Sequence, residues 1–151
     1  MIEELLSQEW SFIAFIFFGI IGFVAWTRWR DNQWIEKTLG RQNVITMSFG
    51  VNYFGRASEP GKASRGSGFL VLLKDRLVYR SRWKNDTVEI LGSRISSIYP
   101  DSVHKNTELN QSVLKIEFEL EDGSTDCVAF RVPYPPQWMQ AISKISPQLK
   151  I

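Results

Sequence analysis

Side chains able to carry out covalent or acid–base chemistry are few and widely separated in this sequence. His104 is the only histidine and Cys127 is the only cysteine. Neither a zinc site nor a Ser-His-Asp arrangement can therefore be assembled from its usual parts. His104 lies in the polar stretch from Asp101 to Gln111, where we expect a connection between strands and a solvent-facing histidine. Cys127 falls within an expected strand, is interpreted as a small buried residue, and cannot form an internal disulfide.

Two other patterns approach catalytic or phosphate-binding motifs without meeting their requirements. Glu117 and Glu119 share one face of an expected strand, but like charges at that spacing do not define a catalytic pair. The stretch from Gly55 to Ser64 has five residues between its glycines, whereas a P-loop needs four and a Ser or Thr directly after its lysine. We expect no catalytic, cofactor-binding or metal-binding residues and predict that the protein is not an enzyme. An unfamiliar enzyme using these acids, His104 or Cys127 is the third alternative.

An uncharged segment near the N-terminus is the strongest feature of the sequence. Residues 10–27 contain eighteen residues without a charge, and a helix of that length rises about 27 Å, close to the hydrocarbon thickness of a bilayer. A buried core helix this apolar would need a larger protein shell than the remaining chain supplies. A cleaved signal peptide has a basic region before its apolar run, whereas Glu3, Glu4 and Glu9 precede this one. We predict a single transmembrane helix.

The charges that flank this segment predict its orientation. All eighteen Lys and Arg residues lie at or after Arg28, and basic residues next to a span stay on the cytoplasmic side. We predict a single-pass protein of the inner (cytoplasmic) membrane, with residues 1–9 outside and the C-terminal domain in the cytoplasm. Residues 28–42 are expected to form a juxtamembrane helix or linker, which lies along the surface or simply continues the span. The expected membrane-interface residues are Trp10, Trp26, Arg28, Trp29, Arg30 and Trp34.

Residues 43–151 change to short alternating runs, which are typical of an antiparallel sheet. From Val113 to Leu120 apolar residues alternate with charged ones, so one strand face belongs to the core. We also predict a strand from Arg76 to Trp83, and another from Arg94 to Tyr99 that Pro100 terminates. From Pro136 to Ile145 the apolar residues recur at i, i+3, i+4 and i+7, which predicts a C-terminal helix.

A meander of about seven strands followed by one amphipathic helix resembles the pleckstrin-homology (PH) superfold. The resemblance is closer to its GRAM-like and bacterial PH-like branches, because the stretch from Gly68 to Tyr79 looks like the GRAM-type hairpin. The helix that contains Trp138 is similar to the one that closes the open end of a PH barrel. The resemblance covers about Val44 to Ile145. It implies a PH-like antiparallel barrel or sandwich capped by a C-terminal α-helix, held behind a single transmembrane helix.

Basic residues are the remaining functional signal. PH domains that resemble this one and bind phosphoinositides carry basic residues in and beside the loop joining their first two strands. Strand alternation places three arginines of the predicted strand from Arg76 to Trp83 on one face. The candidate surface for anionic lipids or a protein partner consists of Arg56, Lys62, Arg65, Arg76, Arg80 and Arg82.

These features predict an interaction module, which acts as a scaffold or accessory subunit of a larger membrane protein complex. Its expected partners are the bilayer and other integral membrane subunits, and nucleic acid is not expected because no platform of stacking aromatic residues accompanies the basic residues. The alternative is a tethered PH-like domain that senses anionic lipids.

Overall fold

The computed structural model describes residues 1–149, so the last two residues of the predicted 43–151 domain lie outside the described residues. The chain divides into two compact units, with the boundary between Arg41 and Gln42. The first unit is a single long helix. The second contains an antiparallel sheet and a short C-terminal helix.

Helix α1 spans Ile2–Thr38 and continues without a break through the predicted span and most of the juxtamembrane segment. Its most apolar window has a mean hydropathy of 2.0, and only 6% of that window is buried. The core helix of a soluble protein would be mostly buried. Within residues 1–149, α1 is the one helix long and apolar enough to cross a membrane. The length and composition of α1 are compatible with either a membrane anchor or a signal sequence.

The second unit is built on a seven-stranded antiparallel sheet, which confirms the predicted fold class. The strands are ordered β4-β3-β2-β1-β7-β6-β5, so β4 and β5 are the two edges. Single turns of 3₁₀ helix at Arg41–Asn43 and Gly92–Arg94 precede β1 and β5. The strands are β1 Val44–Arg56, β2 Gly66–Leu73, β3 Arg76–Ser81, β4 Thr87–Leu91, β5 Ile95–His104, β6 Thr107–Glu119 and β7 Thr125–Arg131.

Strand β1 connects the two halves of the sheet. It pairs with β2 along most of its length and with β7 near its C-terminal end, where Asn52 lies opposite Arg131. The register of β1 on β2 shifts between Ser48 and Val51, on either side of Gly50. Because such irregularities bend a strand, the two halves turn toward each other around a shared core.

The core contains the residues that the alternation patterns predict to point inward. Helix α2, Pro135–Ile145, packs against this core with its apolar stripe. Pro135 and Pro136 occupy its first turn, where no helical N–H is lost. The predicted inward residues that are buried in the core are Leu114, Ile116, Phe118, Val128, Phe130, Val132, Trp138 and Ile142.

Strand β5 differs from the prediction, because it passes through Pro100 and ends at His104. Proline is tolerated in an edge strand, where its missing N–H faces the open side. The stretch after Pro100, predicted to be an irregular connection, therefore forms a β-hairpin with β6. Lys105 and Asn106 form its tip, both with positive φ angles (53° and 58°).

Strand β3 is two residues shorter than predicted. It ends at Ser81, whose N–H donates to the carbonyl oxygen of Asp86 at 2.8 Å. Asn85 adopts a positive φ of 53° in this β3–β4 turn, residues 82–86. Trp83 lies in the turn and is 64% exposed, not on the inward face as the extended alternation predicted. The backbone reverses before the alternation ends, so the period of two cannot locate the end of the strand.

Candidate functional site

His104 is not the solvent-facing residue expected from the sequence, because it is only 1% exposed. The extension of β5 brings its ring to the end of β1, where Nε2 lies 2.8 Å from the carbonyl oxygen of Gly55. Burial lowers the pKa of His104, and the positive charges of Lys115 and Lys105 act in the same direction. The ring is therefore neutral near pH 7, and Nε2 carries the proton because the carbonyl oxygen can only accept.

Asp126 holds the start of the β1–β2 loop, residues 57–65, from the side of β7. Ser58 donates its hydroxyl to Oδ2 of Asp126 at 2.7 Å and its N–H to Oδ1 at 3.1 Å. The N–H of Ala57 donates to a β7 carbonyl oxygen at 2.8 Å. Asp126 is buried, and a buried carboxylate requires such hydrogen bonds to be stable. His104 and Asp126 together define where the loop leaves the sheet.

The other reactive candidates do not assemble a catalytic site. Burial raises the pKa of the Cys127 thiol to about 11, and a protonated thiol is a poor nucleophile. Glu117 accepts a hydrogen bond from the Tyr99 hydroxyl at 2.8 Å, whereas Glu119 is exposed. In residues 1–149 no group of three or more His, Cys, Asp or Glu side chains is placed to hold a metal.

An open cleft of about 560 Å³ lies between the β1–β2 loop and the β3–β4 turn. Its lining is mostly polar and includes the basic residues Arg56, Arg65 and Lys84. Glu59 and Asp86 add two acidic groups. The cleft therefore has a small excess of positive charge and several hydrogen-bonding groups, which suits a small polar or anionic ligand.

Two tyrosines line the cleft beside the core. Tyr53 stacks on Phe130 with 5.2 Å between ring centroids, and the Tyr79 ring lies 4.8 Å from that of Tyr53. Both hydroxyl oxygens are buried without a hydrogen-bond partner among residues 1–149, although Arg56 and Ser81 come near them. Burial raises the pKa of Tyr79 to about 12 and raises that of Tyr53 as well. A ligand in the cleft that hydrogen-bonds to these hydroxyls would satisfy them more fully than the nearby Arg56 and Ser81 do.

Three of the six predicted basic surface residues belong to this end of the domain. Arg56 and Arg65 line the cleft, and Lys62 is exposed on the β1–β2 loop. Lys84 lines the cleft but is not one of the six residues of the predicted basic surface. It is about twenty residues from Arg65 along the chain, and only the return of β3 beside β2 brings the two side chains to one cleft. No local spacing pattern could have identified it.

Arg76 lies at the opposite end of β3 from the cleft. Its guanidinium pairs with Asp75 at 3.1 Å and with Glu89 at 3.7 Å. The hydrogen bond from Arg76 lowers the pKa of Asp75. The positive charge of Arg76 is thus partly balanced by these two neighbouring carboxylates.

Arg80 and Arg82 form hydrogen bonds within the sheet and its turn. The Arg80 guanidinium lies 3.4 Å from Oδ1 of Asn85, and that of Arg82 donates to the carbonyl oxygen of Phe49 at 3.2 Å. Val78, between Arg76 and Arg80 on the same strand face, is buried. The predicted row of arginines is therefore interrupted by an apolar side chain.

The six predicted membrane-interface residues all lie on α1. Trp10, Trp26 and Trp29 are exposed, and the Arg30 guanidinium lies 5.2 Å from the centroid of the Trp26 ring. Aromatic side chains thus flank the exposed apolar stretch at both ends, and arginines follow it at the C-terminal end. This is the distribution that the two interfaces of a bilayer favour.

Comparison with known proteins supports the fold and does not extend to function. No family model and no curated protein matches the chain. A chain of "The 8S snRNP Assembly Intermediate" matches with a TM-score of 0.55 and 9% identity, over 74% of this chain and 87% of that one. The C-terminal domain of an unknown protein from Leishmania infantum matches with a TM-score of 0.53 and 11% identity, over 77% and 97% respectively. The observed architecture is compatible with a PH-like fold.

Proposed function

We propose that this protein is a membrane-tethered, PH-like interaction module that serves as a scaffold or accessory subunit of a larger membrane complex. The observation that carries the proposal is the exposed apolar surface of α1, on which Phe12, Phe15 and Phe18 all lie open to the surroundings. Soluble monomers rarely expose contiguous apolar surface of this extent. A bilayer, or the helices of partner subunits within it, would cover it.

The proposed topology places the N-terminus outside and the sheet domain in the cytoplasm. It is supported by the absence of Lys and Arg before Arg28 and by the basic residues directly after the apolar stretch. Basic residues next to a span are retained in the cytoplasm. The membrane proposed is the inner (cytoplasmic) membrane of the cell.

The GRAM-like branch of the PH superfold is our proposal for the domain. It is supported by the hairpin of β2 and β3, which contains the stretch from Gly68 to Tyr79 and joins its strands through Lys74 and Asp75. The inference from a PH-like fold to a docking function is an analogy, since one fold hosts many functions. Partner identification therefore has to come from experiment.

The test is to tag the C-terminus, extract membranes in mild detergent, and identify by mass spectrometry which proteins remain bound through size exclusion. We expect a stoichiometric set of integral membrane proteins. A Gly68→Ala variant, which disturbs the sheet and leaves α1 unchanged, separates partners held by the domain from those held by the helix. Elution of the wild-type chain by itself would contradict the subunit proposal.

A second candidate function is recognition of an anionic lipid headgroup in the cleft. It is favoured by the convergence of Arg56, Arg65 and Lys84 on one opening above the unpaired hydroxyls of Tyr53 and Tyr79. Hydrogen bonds to charged groups contribute about 1.5–3 kcal/mol each. Two or three such bonds to phosphate would therefore produce measurable binding.

Titration of the full chain in nanodiscs with inositol hexakisphosphate, followed by calorimetry, tests this candidate. The double change Arg65→Gln and Lys84→Gln should weaken binding by about a hundredfold, because each lost charge-assisted bond is worth a factor of ten or so. The matched control, Lys74→Gln with Lys144→Gln, removes the same charge at exposed positions outside the cleft lining. Equal weakening in both double variants would mean non-specific attraction and would reject the cleft as a site.

A further inference from the structure

The β3–β4 turn presents a large aromatic side chain to solvent. Trp83 is 64% exposed, whereas Trp138 in α2 is buried in the core. Burying a large apolar side chain stabilises a folded domain, and most of the Trp83 side chain stays outside this one. An exposed indole at the tip of a turn is therefore a candidate contact for something outside the domain.

The turn that carries Trp83 is tied to the sheet on both sides. The N–H of Arg82 donates to the carbonyl oxygen of Ser67 at 2.9 Å, and the N–H of Ser81 donates to that of Asp86 at 2.8 Å. The N–H of Lys84 also donates to the Ser81 hydroxyl at 3.3 Å. These bonds fix the direction of the turn, so the exposure of the indole is built into the folded domain.

Basic side chains outnumber acidic ones at this end of the domain, which also carries Glu59 and Asp86. Lys84 follows Trp83 directly, and Lys62 and Arg65 lie on the β1–β2 loop across the shared cleft. The β6–β7 turn, by contrast, carries the exposed carboxylates of Glu121 and Asp122. The basic end complements an anionic lipid layer, whereas the acidic β6–β7 turn would be repelled by such a layer.

We propose that Trp83 inserts its indole into the interfacial layer of an anionic bilayer, while Lys62, Arg65 and Lys84 lie against the lipid phosphates. Tryptophan favours the headgroup region, and basic residues close to an anionic lipid surface are attracted to it. Neither contact alone would hold a free domain, but a tether keeps the turn at high local concentration next to the membrane. The inference rests on the proposed membrane anchor and does not require headgroup binding in the cleft.

The experiment places an environment-sensitive NBD probe at the tip of the turn in the full chain. Cys127→Ser removes the native thiol, Trp83→Cys accepts the probe, and Glu121→Cys in the same background is the matched control on the acidic β6–β7 turn. Both chains are reconstituted into nanodiscs of phosphatidylcholine with or without phosphatidylglycerol. Alkaline extraction first establishes that the chains are integral, so a failed anchor is distinguished from a failed insertion.

We expect the probe at position 83 to shift to shorter emission wavelengths, to lose most of its quenching by aqueous iodide, and to be quenched by doxyl lipids in the anionic discs. The probe at position 121 should remain accessible to iodide. An integral chain whose position 83 stays iodide-accessible in anionic discs overturns the proposal. Protection of position 83 in native membranes but not in the protein-free bilayer of the discs also overturns it, because a protein partner would then cover the turn.

Discussion

His104 and Asp126 control the local geometry of the cleft without being exposed in it. Both are buried, and both hold the chain where β1 passes into the β1–β2 loop, one through Gly55 and the other through Ser58. Their contacts join β5 and β7 to the loop that carries Arg65. A change at either residue is therefore expected to alter the cleft indirectly, through the position of the loop.

The buried ring of His104 predicts a loss of stability in mild acid. Its folded-state pKa lies below the ordinary value of 6.5, so the unfolded chain takes up the proton first and stability falls as the pH drops below about 6.5 toward the folded-state pKa. His104→Gln keeps a donor for Gly55 and removes the titration. Urea unfolding followed by circular dichroism should show a decrease between pH 7.5 and 5.5 in the wild type and a flatter profile in the variant.

Three aspartates contribute to stability outside this window. Asp75, Asp101 and Asp122 all have pKa values below their ordinary value of 3.8, because hydrogen bonds stabilise their charged forms. Their contribution to stability is present above pH 3.8 and is lost only as the pH falls below it. An equal pH dependence in wild type and His104→Gln between pH 7.5 and 5.5 would contradict the assignment to His104.

Cys127 is predicted to react slowly in the native protein. A rise in its pKa from 9.0 to about 11 lowers the thiolate fraction at neutral pH about 100-fold, and only the thiolate attacks. Maleimide should therefore label Cys127 much more slowly than an exposed cysteine introduced by Ser124→Cys in a Cys127→Ser background. Equal rates in the folded protein would show that the thiol is neither shielded nor suppressed. Topology labelling should accordingly use position 124.

Packing between elements depends at one place on the absence of a side chain. Gly68 in β2 lies against the carbonyl oxygen of Arg80 in β3 and the ring of Tyr79. A Cβ at this position would come within 2.8 Å of the Tyr79 ring. The glycine therefore permits Tyr79 to lie across β2 and line the cleft.

Gly68→Ala is predicted to lower the free energy of unfolding by about 1–3 kcal/mol, the usual cost of overpacking a rigid core. Gly50→Ala in β1 is the matched control, because an added Cβ there meets no atom of the described residues within 4 Å. Its effect should remain within about 0.5 kcal/mol. Urea unfolding measures both variants, and similar losses in the two would contradict the packing argument.

At the scale of the whole molecule, α1 and the sheet domain require different surroundings. The domain buries its apolar residues in its own core, while α1 leaves a long apolar stretch exposed. That stretch carries no ionisable side chain between Trp10 and Thr27, which favours a tether over an element that conducts ions or protons. If α1 is the membrane anchor that we propose, lipid covers this stretch, whereas the sheet domain covers its apolar residues by itself.

Phe18→Arg is predicted to weaken membrane integration, because an arginine at the centre of a span costs about 2.5–3.5 kcal/mol. The control Phe18→Leu preserves apolar character. Alkaline carbonate extraction should release more of the arginine variant than of the wild type or the leucine variant. N-terminal sequencing of the membrane-bound wild-type chain should find residues 1–27 still present, and their removal would identify a signal sequence instead.

Local periodicity by itself determined the elements of this protein. The signals that predicted them are local: an uncharged run in α1, an alternation of two residues in β6 and β7, and an apolar stripe in α2. Each of these elements formed as predicted. The C-terminal ends of β3 and β5 were predicted wrongly. The alternating pattern continues through Trp83, although that residue already lies in a turn. Pro100 is accommodated because β5 is an edge strand, and the position of β5 in the sheet depends on the strand order.

Only the tertiary structure decided the cleft and the environment of its residues. Tyr53, Arg65, Tyr79 and Lys84 come from four separate segments, and no spacing along the chain connects them. The burial of His104 likewise depends on the hairpin that brings it to Gly55. Hydrophobic periodicity is a local property of the chain, whereas a site is formed by side chains that meet only after distant strands have paired.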